Sequence, residues 1–222
     1  MGLGSTRSNR FTEELALTKS FRLLRSRYSN ANDLKLSMPS VALLGTGLLG
    51  EAIGRRLLQR GFNLMVWNRN PDRCRALVRE GAVIIPSLSN LTQNAETIIT
   101  VLRDGPVTQK VVSELGNLNG SCLMPMGTMG IAEIRRLAEQ VQDQNGTCLE
   151  APVLGSKPQA ANGTLFVLAG GTKELFDHQR PLLDHLSESR CWWDRSAAAL
   201  PPSLRSTNSS PASPTLSHCR CG

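Results

Sequence analysis

The sequence predicts an α/β fold built on a doubly wound parallel sheet. Three observations carry this expectation. Between residues 39 and 186, short apolar runs alternate with amphipathic stretches, separated by brief Gly/Asn/Asp turns. That is the pattern of repeated β–α crossovers. The first apolar run, Val41 to Leu44, is followed at once by Gly45, Gly47 and Gly50. Gly61 and the apolar run Leu64 to Trp67 then complete a strand–turn–helix–strand unit. Gly-x-Gly-x-x-Gly in that setting is the Rossmann fingerprint for a bound dinucleotide.

Each element has its own justification. Val41 to Leu44 is too short for a helix and is bounded by glycine, which suits a strand covered on both faces. Of the three glycines, the first turns the chain, the second admits a pyrophosphate and the third lets the helix pack closely. With Thr46, Leu48 and Leu49 between them, they form the predicted cradle for the cofactor phosphates. Ala52, Ile53, Leu57 and Leu58 give the helix its apolar face, and its first amides meet the phosphate charge. Gly61 caps the helix, and the second strand ends at Asn68 and Arg69. An NAD site usually carries Asp or Glu about 20 residues after the fingerprint, to bind the ribose hydroxyls. A carboxylate repels a 2′-phosphate, whereas a guanidinium grips it in a fork. NADP is therefore favoured over NAD.

Further along, a helix is expected from about Pro71 to Glu80, then strands near Val83 to Ile85 and Thr97 to Leu102. A helix from about Val107, a strand from Cys122 to Met126 and a helix near Ile131 to Gln142 follow. Strands from Thr147 to Glu150 and Thr164 to Ala169, and a helix from Lys173 to Leu186, complete the series. Ligands of such sheets bind beyond the carboxyl ends of the strands. That places Gly45 to Gly50, Asn68–Arg69, Leu102 to Asp104, Gly127–Thr128 and Val153 to Ser156 around one crevice.

Composition narrows the function classes. A hydrophobic content of 40% fits a soluble globular protein, and no apolar run is long enough to span a bilayer. The net charge of +7 invites a nucleic-acid reading, but its location argues against one. Residues 1–38 hold seven Lys/Arg against three acids and residues 187–222 four against two, while 39–186 hold fourteen against thirteen. Basic tails are a poor substitute for a basic patch on a folded face. Neither a nucleic-acid nor a membrane partner is expected.

Six cysteines, three of them in the last 32 residues, do not form a disulfide framework. Cys74, Cys122 and Cys148 read as small apolar fillers. His218, Cys219 and Cys221 lack the second pair that would close a tetrahedral site, so no metal is expected.

Three parts are expected. Residues 1–38 form a basic leader without a core-facing pattern; Arg/Ser-rich and acid-poor, it resembles an organelle transit peptide. The plainer alternative is that Met38 is the natural start and the protein is cytoplasmic. Residues 39–193 form the nucleotide domain. In residues 194–222, Ser, Pro and Thr supply over half of the positions from Ser196 to His218, and disorder is the physical default.

These segments together resemble the cofactor domain of the β-hydroxyacid dehydrogenases. That family includes 3-hydroxyisobutyrate dehydrogenase, 6-phosphogluconate dehydrogenase and glyoxylate/succinic semialdehyde reductases. "LLGTGLLGEAIGRRL" resembles the family's opening fingerprint and "NRNPDR" its NADP-type strand end. "TVLRDGPVTQKVV" resembles the segment passing the adenine and nicotinamide, with Leu102 beside the cofactor and Arg103 where Pro is common. "MGTMG" resembles the motif whose Thr, here Thr128, touches the cofactor, with Gly127 where Ser is usual. "EAPVLGSKPQAANGTLFVLAGG" resembles the substrate loop and the strand after it. The resemblance implies that Leu154, Gly155 and Ser156 hold a substrate carboxylate, although Leu154 lacks the hydroxyl of the family's serine.

The resemblance also implies a catalytic lysine on a long helix beyond this domain, then an all-helical domain that supplies dimer contacts. After Lys173 the sequence has no lysine, and Pro201–Pro202 stand where that helix should run. The expectation is therefore a chain that lacks the helical domain, its dimer contacts and any catalytic residue, with a reading-frame shift near Cys191 to Ser196. Two functions stay open. One is an NADP-dependent reductase of small hydroxy or semialdehyde acids in truncated form, and the other a non-catalytic NADPH-binding module.

Overall fold

The computed structural model describes residues 40–91, 95–194 and 220–221. These lie in one compact unit, Pro39–Gly222. The expectations for residues 1–38, for the Ser/Pro-rich stretch 196–218 and for Cys219 lie outside the described residues. So does the side chain of Cys221.

The predicted α/β fold is present. Six parallel strands run β1 (Ser40–Leu44), β2 (Asn63–Trp67), β3 (Val83–Ile84), β4 (Thr97–Thr100), β5 (Cys122–Pro125) and β6 (Thr147–Cys148). Their order across the sheet is β3-β2-β1-β4-β5-β6. The crossovers include helices α1 (Leu48–Gln59), α2 (Arg75–Arg79), α3 (Gly105–Ser113) and α4 (Ile131–Asp143). The chain leaves β1 towards β2 and later returns to its other side as β4. Between these neighbours the connections diverge and open a crevice at the carboxyl ends.

Burial explains why β1 is apolar at every position. Val41 and Leu43 pack into one hydrophobic layer with Ile53 and Leu57 of α1, while Ala42 and Leu44 pack into the opposite layer with Val112 of α3 and Leu137 of α4. The alternation repeats in β4 and β5, where Ile99 and Met124 join the first layer and Ile98 and Leu123 the second. Period-two geometry sends successive side chains to opposite faces, so a strand with helices on both sides reads as an unbroken apolar run.

The structure departs from the expected single sheet after Ala151. The strand expected at Thr164 to Ala169 is β8 (Leu165–Gly171), and it belongs to a second sheet ordered β10-β9-β8-β7. Here β7 (Val153–Leu154) runs antiparallel to β8, β9 (Ser187–Asp194) parallel to it, and β10 (Arg220–Cys221) antiparallel to β9. The change begins at Glu150, which exchanges backbone bonds with Gly170 of β8, and is complete at Pro152. Ala151 still donates to the Pro125 carbonyl of the main sheet at 3.0 Å, but Pro152 has no N–H to extend that ladder, and its carbonyl accepts from Leu168 of β8 instead. Leu165, Val167 and Ala169 of β8 then pack into the α1 layer with Leu182, Leu183 and Leu186 of α6 (Lys173–Leu186).

Other boundaries shift. The helix expected from Pro71 to Glu80 is a 3-10 turn, Pro71–Cys74, followed by the short α2. A further short helix, α5 (Lys157–Asn162), follows the loop assigned to substrate. Cys74 and Cys122 are buried as fillers, as expected, and Cys148 is half-buried. Among the described residues no helix is long and apolar enough to cross a membrane.

Candidate functional site

The three fingerprint glycines meet three different demands. Gly45 has φ +103°, and a Cβ there would sit 2.3 Å from the Val101 carbonyl oxygen. A Cβ on Gly50 would sit 1.9 Å from the carbonyl oxygen of Gly45. Both must be glycine for the protein to close on itself. Gly47 is different: its φ of −73° suits any residue, and a Cβ there meets nothing within 4 Å. No protein atom explains that glycine, so the open space in front of it does. It adjoins the start of α1, where Gly47 is the N-cap and the first helical bond runs from the Glu51 amide to the Gly47 carbonyl at 2.8 Å. The amides of Leu48, Leu49 and Gly50 have no carbonyl one turn back, and they confer anion affinity on this end of the helix.

The end of β2 is a tight turn. Asn68 Oδ1 accepts from the Asn70 amide at 3.0 Å, and Asn70 Oδ1 accepts from the Asp72 amide at 3.1 Å. These two bonds fix the backbone on either side of Arg69, whose side chain stands exposed. The turn carries a residue that the sequence reading missed. Arg73 lines a hollow of about 250 Å³ together with Thr46, Gly47, Leu48 and Glu51. Arg55 is paired with Glu51 and Glu80, and Arg75 with Asp72. Among the described residues Arg69 and Arg73 form no ion pair. The available signal was that Asn68, Asn70 and Pro71 bend the chain back, which returns the next cation to the glycine loop.

Beneath this surface Thr46 Oγ1 and Cys74 Sγ lie 3.7 Å apart, both buried. Burial raises the Cys74 thiol above its ordinary pKa, with the Thr46 bond acting weakly against it, so the group is a neutral thiol.

The ends of β4 and β5 form the other wall. Gly127 lies where a Cβ would come within 3.0 Å of the Leu102 carbonyl oxygen, so these two segments are in contact. Thr128 is exposed and Leu102 half-buried. Asp104 caps α3 by accepting from the Val107 amide at 2.9 Å, and Arg103 donates to its other oxygen at 2.7 Å. The amide bond chiefly, and the guanidinium bond after it, lower the Asp104 carboxyl below its usual range. Glu133 accepts from the Gly130 amide at 2.8 Å and closes the start of α4. Leu48 and Ile131, first residues of α1 and α4, stand exposed at 78% and 46%.

In the loop after β7, Leu154 is 60% exposed and Gly155 has φ +137°. Ser156 is already engaged, for its amide and hydroxyl both donate to Gln159 Oε1, at 3.1 and 2.6 Å. The loop follows Ala151, whose amide bonds to the end of β5, and α5 behind it packs on α1. Of the two α6 histidines, His178 is exposed and His185 meets Phe62 edge-to-face at 5.3 Å. Among the described residues no group of His, Cys, Asp or Glu could hold a metal ion.

The residues present fit a dinucleotide: a glycine that no protein contact requires, the first amides of α1 and, among the described residues, two guanidiniums without an ion pair on the turn after β2. Comparisons with known proteins agree. Glyoxylate/succinic semialdehyde reductase 1 of Arabidopsis thaliana is 32% identical over 153 residues, which are 67% of this chain and 53% of that protein. Cytokine-like nuclear factor N-PAC of Drosophila melanogaster is 28% identical over 159 residues, 69% of this chain and 26% of its own length. An imine reductase from Pseudomonas sp. superposes with a TM-score of 0.68 at 29% identity, covering 71% of this chain and 56% of the reductase. The chain thus spans about half the length of that plant reductase. Residues 40–194 match the NAD binding domain of 6-phosphogluconate dehydrogenase, and the chain belongs to that family of NAD(P)-binding oxidoreductase domains.

Proposed function

We propose that the chain binds NADP(H) in preference to NAD(H), as the nucleotide-binding part of a reductase of small hydroxy or semialdehyde acids. One observation carries the cofactor choice. Among the described residues neither Arg69 nor Arg73 forms an ion pair, and Arg73 lines the hollow beside the glycine loop. In this reading the amides of residues 47–50 and Thr46 hold the diphosphate, Asn68, Arg69 and Arg73 the 2′-phosphate, and Leu102 and Thr128 border the nicotinamide side. The bound nucleotide supplies the hydride. One charge-assisted hydrogen bond is worth about 1.5–3 kcal/mol, so NADPH should bind about tenfold or more tightly than NADH. Fluorescence titration of the full 222-residue chain with both nucleotides tests this. Arg69→Ala and Arg73→Ala should each narrow the difference; equal affinities in the unaltered chain overturn it.

The substrate class rests on the plant relative's name and on the loop Leu154–Gly155–Ser156, where a carboxylate would compete with Gln159 for the Ser156 donors. The 222 residues carry no lysine beyond Lys173, and Lys173 is bound to Asp177 on α6. By themselves they supply no acid/base of the kind the resemblance implies, so we propose binding without turnover. A non-catalytic NADPH-binding module is the second reading, favoured by the similarity to a relative described as a nuclear factor. In both readings residues 39–193 are the functional unit; the reductase reading carries no nucleic-acid partner and a cytoplasmic location.

A further inference from the structure

Arg73 reaches the hollow from an exposed turn, and something must hold that turn against the glycine loop. Within the turn, and among the described residues, the side chains of Asn68, Asn70 and Asp72 bond to one another's backbone or to Arg75. Among the described residues, one side-chain hydrogen bond joins residues 68–74 to residues 45–50: the buried contact between Thr46 Oγ1 and Cys74 Sγ. Its partners are 28 positions apart in the chain. Each has an immediate neighbour lining the hollow, Gly47 beside Thr46 and Arg73 beside Cys74. Cys74 also ends the 3-10 turn that Asn70 opens, so the place of its sulfur sets the place of the Arg73 backbone.

We propose that the Thr46–Cys74 pair is a positioning device that pins Arg73 against the glycine loop. Through Arg73 it sets the discrimination between nucleotides with and without a 2′-phosphate. This rests on the NADP reading above and adds to it. Cys74 is buried and does not line the hollow, so it acts through Arg73. Thr46 lines the hollow, and its hydroxyl meets the Cys74 sulfur where the loop and the turn join. Only a nucleotide with a 2′-phosphate draws on Arg73, so only its affinity should depend on how firmly Arg73 is held. A merely structural contact would instead affect both nucleotides alike.

Titration of NADPH and NADH into the full chain tests the pin, using Cys74→Ala, Arg73→Ala and the double variant. Cys74→Ala removes the sulfur and leaves every residue of the glycine loop in place. It should weaken NADPH about fivefold, the scale of one lost neutral hydrogen bond, and leave NADH within about twofold. In the Arg73→Ala background it should have no further effect on NADPH, because two residues acting through one contact are not additive. Cys74→Ser, which keeps a partner for the hydroxyl, should retain NADPH affinity. Should Cys74→Ala not fold, Thr46→Val removes the same contact from the other side and must lower the ratio of NADPH to NADH affinity by the same factor. Equal weakening of both nucleotides, or an undiminished effect without Arg73, overturns the proposal. Failure of the NADP reading looks different. The unaltered chain would then bind both nucleotides equally and Arg73→Ala would change nothing, which removes the pin as well.

Discussion

Gly47 is the residue whose reason lies outside the protein. Its neighbours in the fingerprint are locked by contact, Gly45 against Val101 and Gly50 against Gly45. Substitution should therefore separate folding from binding. Gly47→Ala should cost less than about 1 kcal/mol of stability, the difference between Gly and Ala at a helix N-cap. It should nevertheless weaken nucleotide binding about tenfold by occupying the approach. Gly50→Ala should destabilise the fold by about 1–3 kcal/mol, as overpacking does. Thermal unfolding with and without nucleotide distinguishes the two, and a Gly47→Ala variant that binds normally would show that the space is not the ligand's. The glycines were legible in the sequence because their spacing is itself the geometry. Arg73 was not. A cation four positions after another reads as solvated surface until the turn through Asn70 and Pro71 shows where it points.

At the scale of elements, α1 joins the glycine loop at its start to α5 along its length. Arg56 of α1 donates through Nε to the His185 carbonyl near the end of α6 at 2.9 Å. Its guanidinium also lies against Gly163, the left-handed cap of α5, where a Cβ would sit 2.5 Å from Nη2. Burial, with Arg60 adding to it, lowers the Arg56 pKa, yet an arginine stays charged. Arg56→Ala should cost about 1–2 kcal/mol and raise hydrogen exchange in Lys157–Asn162; unchanged protection there would mean that α5 is held by packing alone. None of this was visible beforehand. The apolar alternation in Thr164 to Ala169 suits either sheet, and the backbone bonds of Glu150 and Pro152 to β8 show which one it joins. The resemblance predicted the substrate loop but not the way Gln159 occupies the donors of Ser156. Helix α6 was read correctly despite Pro181 in its interior, because its apolar spacing, Leu182, Leu183 and Leu186, faces the core.

For the whole molecule, the buried thiols couple stability to alkali. Burial pushes Cys122 from 9.0 up to about 12, against weaker opposing bonds to Thr147 and Leu149. A raised folded-state value means that the stabilisation is complete below pH 9 and is lost as pH rises towards 12. The loss is about 1.4 kcal/mol per pH unit in that window. Denaturant midpoints taken from pH 8 to 11 should fall less steeply for Cys122→Ala than for the unaltered chain; parallel curves would assign the alkaline loss to other groups. The same full chain, incubated with NADPH and glyoxylate or succinic semialdehyde, should consume no cofactor above background. Consumption that vanishes on Lys157→Ala would reveal a substitute acid in the substrate loop.

The position of β1 has a consequence during synthesis. It is the earliest strand of its sheet to be made and a central one in space, with β2 on one side and β4 on the other. Its first edge is met once residue 67 has emerged, but its second waits for Thr97 to Thr100. At ordinary translation rates that interval is on the order of 2–7 s. Throughout it, the nascent chain carries Val41 to Leu44, apolar on both faces and with unpaired amides along one edge. A growing polypeptide in that state is a client for a chaperone well before it is a binder of nucleotides. Synonymous changes that slow the ribosome before residue 97 should lower the yield of folded protein without altering a single side chain.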